Sequence, residues 1–174
     1  ASFRTLAVEV YQPLINAGVG SIMVSFNSYQ GTKMSAQSLW LTDVLKNQMG
    51  FAGFLISDWA ALQQLPGGLT PTMPGQAVGP SSTQLAAAVN AGMDMIMEPY
   101  QFEDALERLA AAPTASGSEN IPEERITDAA RRILTIKCEL GMLEAGYDPG
   151  GDSALLSSIG SAEHRAVARK AVQE

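Results

Sequence analysis

The stretch FAGFLISDWAALQQLPGG, Phe51 to Gly68, decides how the chain is read. Phe51 to Ser57 is a short, continuous apolar run of the kind that a strand buried on both faces needs. It stops at Asp58 and Trp59, and Asp58 to Leu65 then reads as the beginning of a helix with Ser57 or Asp58 as its cap. An acidic residue just past a strand has two meanings. It either satisfies the first N–H groups of the next helix or presents a carboxylate at the rim of a pocket, and position alone favours the cap.

Outward from this stretch the same alternation recurs. Upstream, SIMVSF (Ser21 to Phe26) is a second apolar, β-branched run, closed by the loop-forming NSYQGTK. From Ser35 onward Leu39, Leu41, Val44, Leu45 and Met49 fall at helical spacing, and Gly50 follows as a stop. Downstream, the Pro- and Gly-dense LPGGLTPTMPGQAVGPSS leads into an alanine-rich helix, TQLAAAVNAG. A third apolar run, DMIM (Asp94 to Met97), and a third helix, Gln101 to Ala112, come next. In NIPEERITDAARRILTIKCELG, Asn120 is placed to cap, Pro122 and the acidic Glu123 and Glu124 fit a first turn, and Gly141 ends the helix. A Gly-, Asp- and Ser-rich segment from Leu143 to Ile159 precedes SAEHRAVARKAVQE, a capped helix.

Strands alternating with helices predict a parallel sheet, because a parallel crossover needs a helix-length connection. The fold class is therefore α/β, as a partial (β/α) barrel of the TIM type. Three units are clear and a fourth, incomplete one spans Ala1 to Val19, where a closed barrel takes eight units and about 250 residues. Residues 1–160 are assigned to this partial barrel and 161–174 to a helix leading toward a C-terminal domain outside the chain.

Composition narrows the function. Hydrophobic residues at 46% and charged residues at 17% describe a globular chain, and no apolar run approaches the ~18 residues of a membrane span. A net charge of −7 offers no basic stripe to replace phosphate counterions, which argues against nucleic acid as partner. One cysteine, Cys138, cannot close an internal disulfide, and the single His164 has no second His or Cys with which to hold zinc. No transition-metal centre is expected.

In parallel α/β folds, functional side chains gather where strands end at their C-termini. Here those ends offer Phe26, Asn27 and Tyr29; Asp58 and Trp59; and Glu98 and Tyr100. Carboxylates beside aromatic rings suit carbohydrate chemistry: rings stack on the apolar faces of sugars, while a carboxylate attacks or stabilises an anomeric centre that becomes cationic.

The ordered series SIMVSFNSYQGTKMSA, LWLTDVLKNQMGFAGFLISDW, LAAAVNAGMDMIMEPY and ITDAARRILTIKCELGMLE resembles the barrel domain of glycoside hydrolase family 3, in particular its β-glucosidases and glucan glucohydrolases. The resemblance runs from about Val19 to SAEHRAVARKAV. It implies that Asp58 is the nucleophile of a retaining mechanism, that Trp59 flanks the bound sugar, and that Met23 and Phe26 line the same subsite. Many relatives carry tyrosine where Phe26 stands, so a hydroxyl contact to the nucleophile does not transfer. The SDW form resembles the glucosidase branch, which implies β-glucosides or β-glucan oligosaccharides as substrate, and the two-carboxylate mechanism so implied calls for no metal or organic cofactor. The same resemblance places the rest of the sugar-gripping residues on earlier barrel units and the general acid on a following domain, and it suggests a periplasmic or secreted protein.

Plainer roles are expected elsewhere. Glu98 reads as a solvated rim residue, Lys33 and Met34 as loop residues, Trp40 as packing, Cys138 as a half-buried helical residue, and His164 as surface. A reading of another class stays open: a non-catalytic partial barrel whose open sheet edges a partner, or a second copy, would cover.

Overall fold

The computed structural model describes residues 3–71, 73, 76–150 and 152–174. They form two compact units, Ala1–Ile136 and Lys137–Glu174.

In the first unit a short helix, α1 (Gln12–Asn16), leads into a sheet that is parallel, as expected. Strands β1 (Ser21–Met23) and β4 (Phe54–Ile56) pair in the register Ser21↔Phe54, Ile22↔Leu55 and Met23↔Ile56. On the other side of β4, Met95 bridges Ile56 in parallel, and the N–H groups of Asp94 and Met95 donate to the Leu55 carbonyl at 3.0 and 2.9 Å. The order is thus β1, β4, then Met95, whose single bridge stands where a strand over Asp94 to Met97 was expected, with β4 in the centre and Leu55 fully buried.

The strands are shorter than their apolar runs. After Val24 donates to the Ile56 carbonyl (2.8 Å), the chain leaves the sheet for a hairpin of β2 (Ser28–Tyr29) and β3 (Thr32–Lys33), so Phe26 lies beyond the strand and not in it. Gln30 and Gly31, at φ 50° and 82°, make the two-residue turn, and positive φ at both central positions is what a type I′ hairpin requires.

The helix read from Ser35 begins at Leu39. Met34–Ala36 form a separate 3-10 turn, and the Gln37 amide is taken up by the carbonyls of Tyr29 and Thr32. Leu39–Gln48 is a π-helix; of the five residues its spacing singled out, Leu41, Val44, Leu45 and Met49 are buried, whereas Leu39 is exposed. Helix α2 (Ser82–Ala91) opens with a capping box: Ser81 Oγ accepts from the Gln84 N–H, and Gln84 Oε1 accepts from the Ser81 N–H. Helix α3 spans Phe102–Ala111 and α4 Glu123–Glu139. Asn120, read as the cap of α4, instead donates Nδ2 to the carbonyls of Ala112, Pro113 and Ala115 and so closes the loop before it.

The helix expected over Asp58 to Leu65 is a single 3-10 turn, Ala61–Gln64, whose N-cap position is Ala60 at φ 53°. Neither Ser57 nor Asp58 caps it. Part of the Pro- and Gly-rich loop, residues 72, 74 and 75, lies outside the described residues.

At the opposite end of the sheet a charged cluster joins strands to helices. Asp94, its side chain without solvent exposure, accepts from Lys46 Nζ (2.7 Å), from the Leu55 N–H (2.8 Å) and from Arg125. Lys46 also donates to the Gly92 carbonyl, and Arg132 Nη1 reaches the carbonyls of Phe51 and Gly53, each at 3.0 Å. Asp128 bridges Arg125 and Arg132. Burial alone would push its carboxyl up, but the Arg132 hydrogen bond and the charges of Arg132, Arg125 and Lys46 together hold it below the usual range.

For Lys46, burial outweighs the attraction of Asp94 and lowers the ammonium from 10.5 to about 8. Below pH 8 both folded and unfolded chains hold this proton, whereas between about 8 and 10.5 the unfolded chain binds more of it, so stability gains a rising contribution across that window. Urea unfolding at pH 7 and pH 10 is expected to show this gain in the wild type and its loss in Lys46→Met; equal pH dependence in the two would refute it.

In the second unit, Asp152 Oδ1 accepts from the Ala154 N–H at the start of α5 (Ser153–Leu156), and Ser161 Oγ accepts from the His164 N–H at the start of α6 (Ala162–Gln173). His164 is exposed. Cys138 is exposed as well, where a half-buried position was expected. Among the described residues no helix is long and apolar enough to cross a membrane.

Candidate active site

The parallel ladder that ends β4 sets down three residues in sequence: Ser57, Asp58 and Trp59. Ser57 is fully buried and held on several sides. Its N–H donates to the Met95 carbonyl (3.0 Å), and its Oγ accepts from the Met97 N–H (2.8 Å) and donates to the Asp58 carbonyl (2.9 Å). Two residues past Asp58, the Ala60 N–H donates to the Met97 carbonyl (3.0 Å). Residues 95–97 thus grip the chain on both sides of Asp58. Between the grips the chain turns sharply, and Ala60 takes the left-handed conformation that costs a non-glycine residue on the order of 1 kcal/mol.

Asp58 itself is half-buried, and Oδ1 accepts from the Trp59 N–H at 2.7 Å. Its Oδ2 has no hydrogen-bond partner among the described residues. Trp59 is 56% exposed and Met23 53% exposed, so both present large apolar surface at this rim. The register places Met23 beside Ile56, two residues before Asp58. Half-buried Phe26 lies three residues past the end of β1, where its carbonyl accepts from Lys33 Nζ (3.1 Å). Lys33 therefore fastens the hairpin to the strand end.

Glu98 departs from its expected character. Its Oε1 accepts from Gln63 Nε2 (3.0 Å) and from the Tyr100 N–H (2.9 Å), while Oε2 is buried with no partner among the described residues. Burial raises its carboxyl above the usual value of 4.5, against the opposing pull of the bonds from Tyr100 and Gln63.

A cleft of about 630 Å³ opens beside β1 and includes Met23, Asn27 and Trp40 among its walls, but not Phe26, Asp58 or Trp59. Trp40 packs as expected: it meets Phe3 and Tyr29 edge-on, with ring centroids 5.1 and 5.4 Å away. Among the described residues no cluster of His, Cys, Asp and Glu is placed to hold a metal ion.

Sequence reading passed over Ser57, Ala60, Gln63 and Gln84 as parts of this rim. The only signal was Ser57 itself, a small polar residue at the end of an apolar strand. Gln84, 1% exposed, shows why such residues stay hidden: its Nε2 donates to the carbonyls of Gln63 and Leu65, a contact between segments about twenty residues apart.

Comparison with known proteins identifies the family. The family described as "Glycosyl hydrolase family 3 N terminal domain" matches residues 1–136. A periplasmic beta-glucosidase of Salmonella typhimurium is 30% identical over 167 residues, which cover 94% of this chain and 20% of the relative. A lysosomal beta glucosidase of Dictyostelium discoideum is 28% identical over 165 residues, covering 94% and 18%. Among solved structures, an exo-1,3/1,4-beta-glucanase from a Pseudoalteromonas species superposes with a TM-score of 0.71 at 40% identity, covering 90% of this chain and 18% of that one. The chain therefore spans about a fifth of the length of the curated relatives it matches.

Proposed function

The chain belongs to glycoside hydrolase family 3, and on that footing we propose that it carries the nucleophile-bearing part of a retaining β-glucosidase acting on β-glucosides or β-glucan oligosaccharides. The observation that carries the reading is the setting of Asp58: a half-buried carboxylate just beyond the central strand, gripped on both sides, with one oxygen oriented by the Trp59 N–H. In this reading Asp58 Oδ2 attacks the anomeric carbon as the glycosidic C–O bond breaks, and the aglycone leaves with a proton from a general acid. Water then displaces the Asp58 ester and releases glucose with retained configuration. Trp59, Met23 and Phe26 supply apolar surface against the sugar.

By the family resemblance the general acid comes from a following domain, outside these 174 residues, so the chain alone is expected to turn over an ordinary aryl β-glucoside poorly. A test that does not need the acid uses 2,4-dinitrophenyl 2-deoxy-2-fluoro-β-D-glucoside, whose leaving group departs unprotonated and whose fluorine slows the second step. Mass spectrometry is expected to find one glycosyl adduct on the peptide containing Asp58, and none in Asp58→Asn. An adduct on another residue, or none at saturating reagent, would overturn the assignment.

A further inference from the structure

We propose that Glu98 is a positioning residue for Asp58, acting through the side chain of Gln63 and the turn that joins the two. The proposal rests on the reading of Asp58 as nucleophile.

The path is short and continuous. Asp58 opens a turn in which the Ala61 N–H donates to the Asp58 carbonyl (3.2 Å) and the Gln63 N–H donates to the Ala60 carbonyl (3.3 Å). Gln63 closes that turn and is fixed twice: its carbonyl accepts from Gln84 Nε2, and its side-chain amide donates to Glu98 Oε1. Glu98 is itself anchored, because it follows Met97, whose N–H and carbonyl hold Ser57 and Ala60, and because the Tyr100 N–H donates to the same Oε1. One carboxyl oxygen thus joins the segment that bridges β4 at Met95 to the far end of the Asp58 turn.

The second oxygen explains why this residue fits. Oε2 is buried and has no partner among the described residues, so an ionised carboxylate would leave this oxygen unsolvated, and burial raises the carboxyl. A neutral acid keeps Oε1 as an acceptor at a smaller penalty. Glutamine would keep it too; leucine of similar size would not.

The test compares wild type with Glu98→Gln, Glu98→Leu, Gln63→Leu and the double leucine variant. The reporter is the Trp59 backbone amide, the donor to Asp58 Oδ1, followed by 1H–15N NMR alongside the rate at which the fluoroglucoside labels Asp58. We expect the Trp59 amide to move in both leucine variants, no further in the double variant, and not in Glu98→Gln. Labelling is expected to slow about tenfold in the leucine variants, in keeping with the cost of misplacing a reacting group, and to be retained in Glu98→Gln. An unmoved Trp59 amide and unchanged labelling in both leucine variants would overturn the proposal, even if their stability fell. Should Glu98→Leu fail to fold, Gln63→Leu decides. If the wild type is not labelled on Asp58, the nucleophile reading fails, while the Trp59 amide still reports whether Glu98 orders the turn.

Discussion

Asp94→Ala is expected to cost about 3–5 kcal/mol of folding stability, the range for removing one partner from a buried ion pair. The loss is large because of what stays behind. Lys46, with its side chain 5% exposed, and Arg125, 16% exposed, would face each other without the anion between them, and the Leu55 N–H at the centre of the sheet would lose its acceptor. Domains are commonly stable by only about 5–15 kcal/mol, so much of the margin would go. Urea unfolding followed by circular dichroism measures it. Asp94→Asn keeps an acceptor for Leu55 and gives up only the charge, and should fall between wild type and alanine. Asp128→Ala should cost less, because that side chain is 26% exposed and water can take up part of its role. A loss below about 1 kcal/mol for Asp94→Ala would show that the cluster does not hold the sheet.

Asp94 also shows what sequence pattern can reveal. The place of DMIM beside the sheet is legible as a short apolar run, but only Met95 bridges β4, so the strand expected over Asp94 to Met97 shrinks to one residue. The charged contacts of Asp94 were not legible, because the partners Lys46, Arg125 and Leu55 lie 48, 31 and 39 positions away, and no local periodicity encodes such a meeting. Helix α2 is the opposite case. Ser81 and Gln84 are three residues apart, and the boundary they set can be read locally.

The same division runs through the candidate site. The strand end at Asp58 was legible, and family resemblance gave it a chemical meaning. The expectation of a cap failed at Ala60, where a left-handed residue turns the chain before a helix can begin, so the Asp58 carboxylate meets only the adjacent Trp59 N–H. That conformation is unfavourable for alanine locally, and hydrogen bonds from residues 95–97, distant in sequence, accompany it. Glu98 was misread for a related reason: an acidic residue beside Pro and Tyr looks solvated until Gln63 is brought to it.

Gly53→Ala is the second large effect expected, a loss of about 3 kcal/mol at the upper end of the usual overpacking cost. A Cβ at Gly53 would stand 2.3 Å from the Gly20 carbonyl oxygen and 2.8 Å from both its carbon and Phe51 Cε2. Those neighbours cannot step aside. The Gly20 oxygen accepts the Phe54 N–H that starts the β1–β4 ladder, Phe51 is 2% exposed, and the Gly53 carbonyl is held by Arg132. Relief would come from parting β1 and β4 at their first hydrogen bond, which would shift β4 and the Asp58 turn it delivers. Gly20→Ala is the internal comparison: its Cβ would meet Ile136 Cγ2 at 3.2 Å, a methyl that can rotate away, and about 1 kcal/mol or less is expected. Thermal unfolding of the two variants, with the Trp59 amide as reporter of the turn, separates the cases. If Gly53→Ala were within about 1 kcal/mol of wild type, or milder than Gly20→Ala, the close approach of these two backbones would not be what fixes the sheet register.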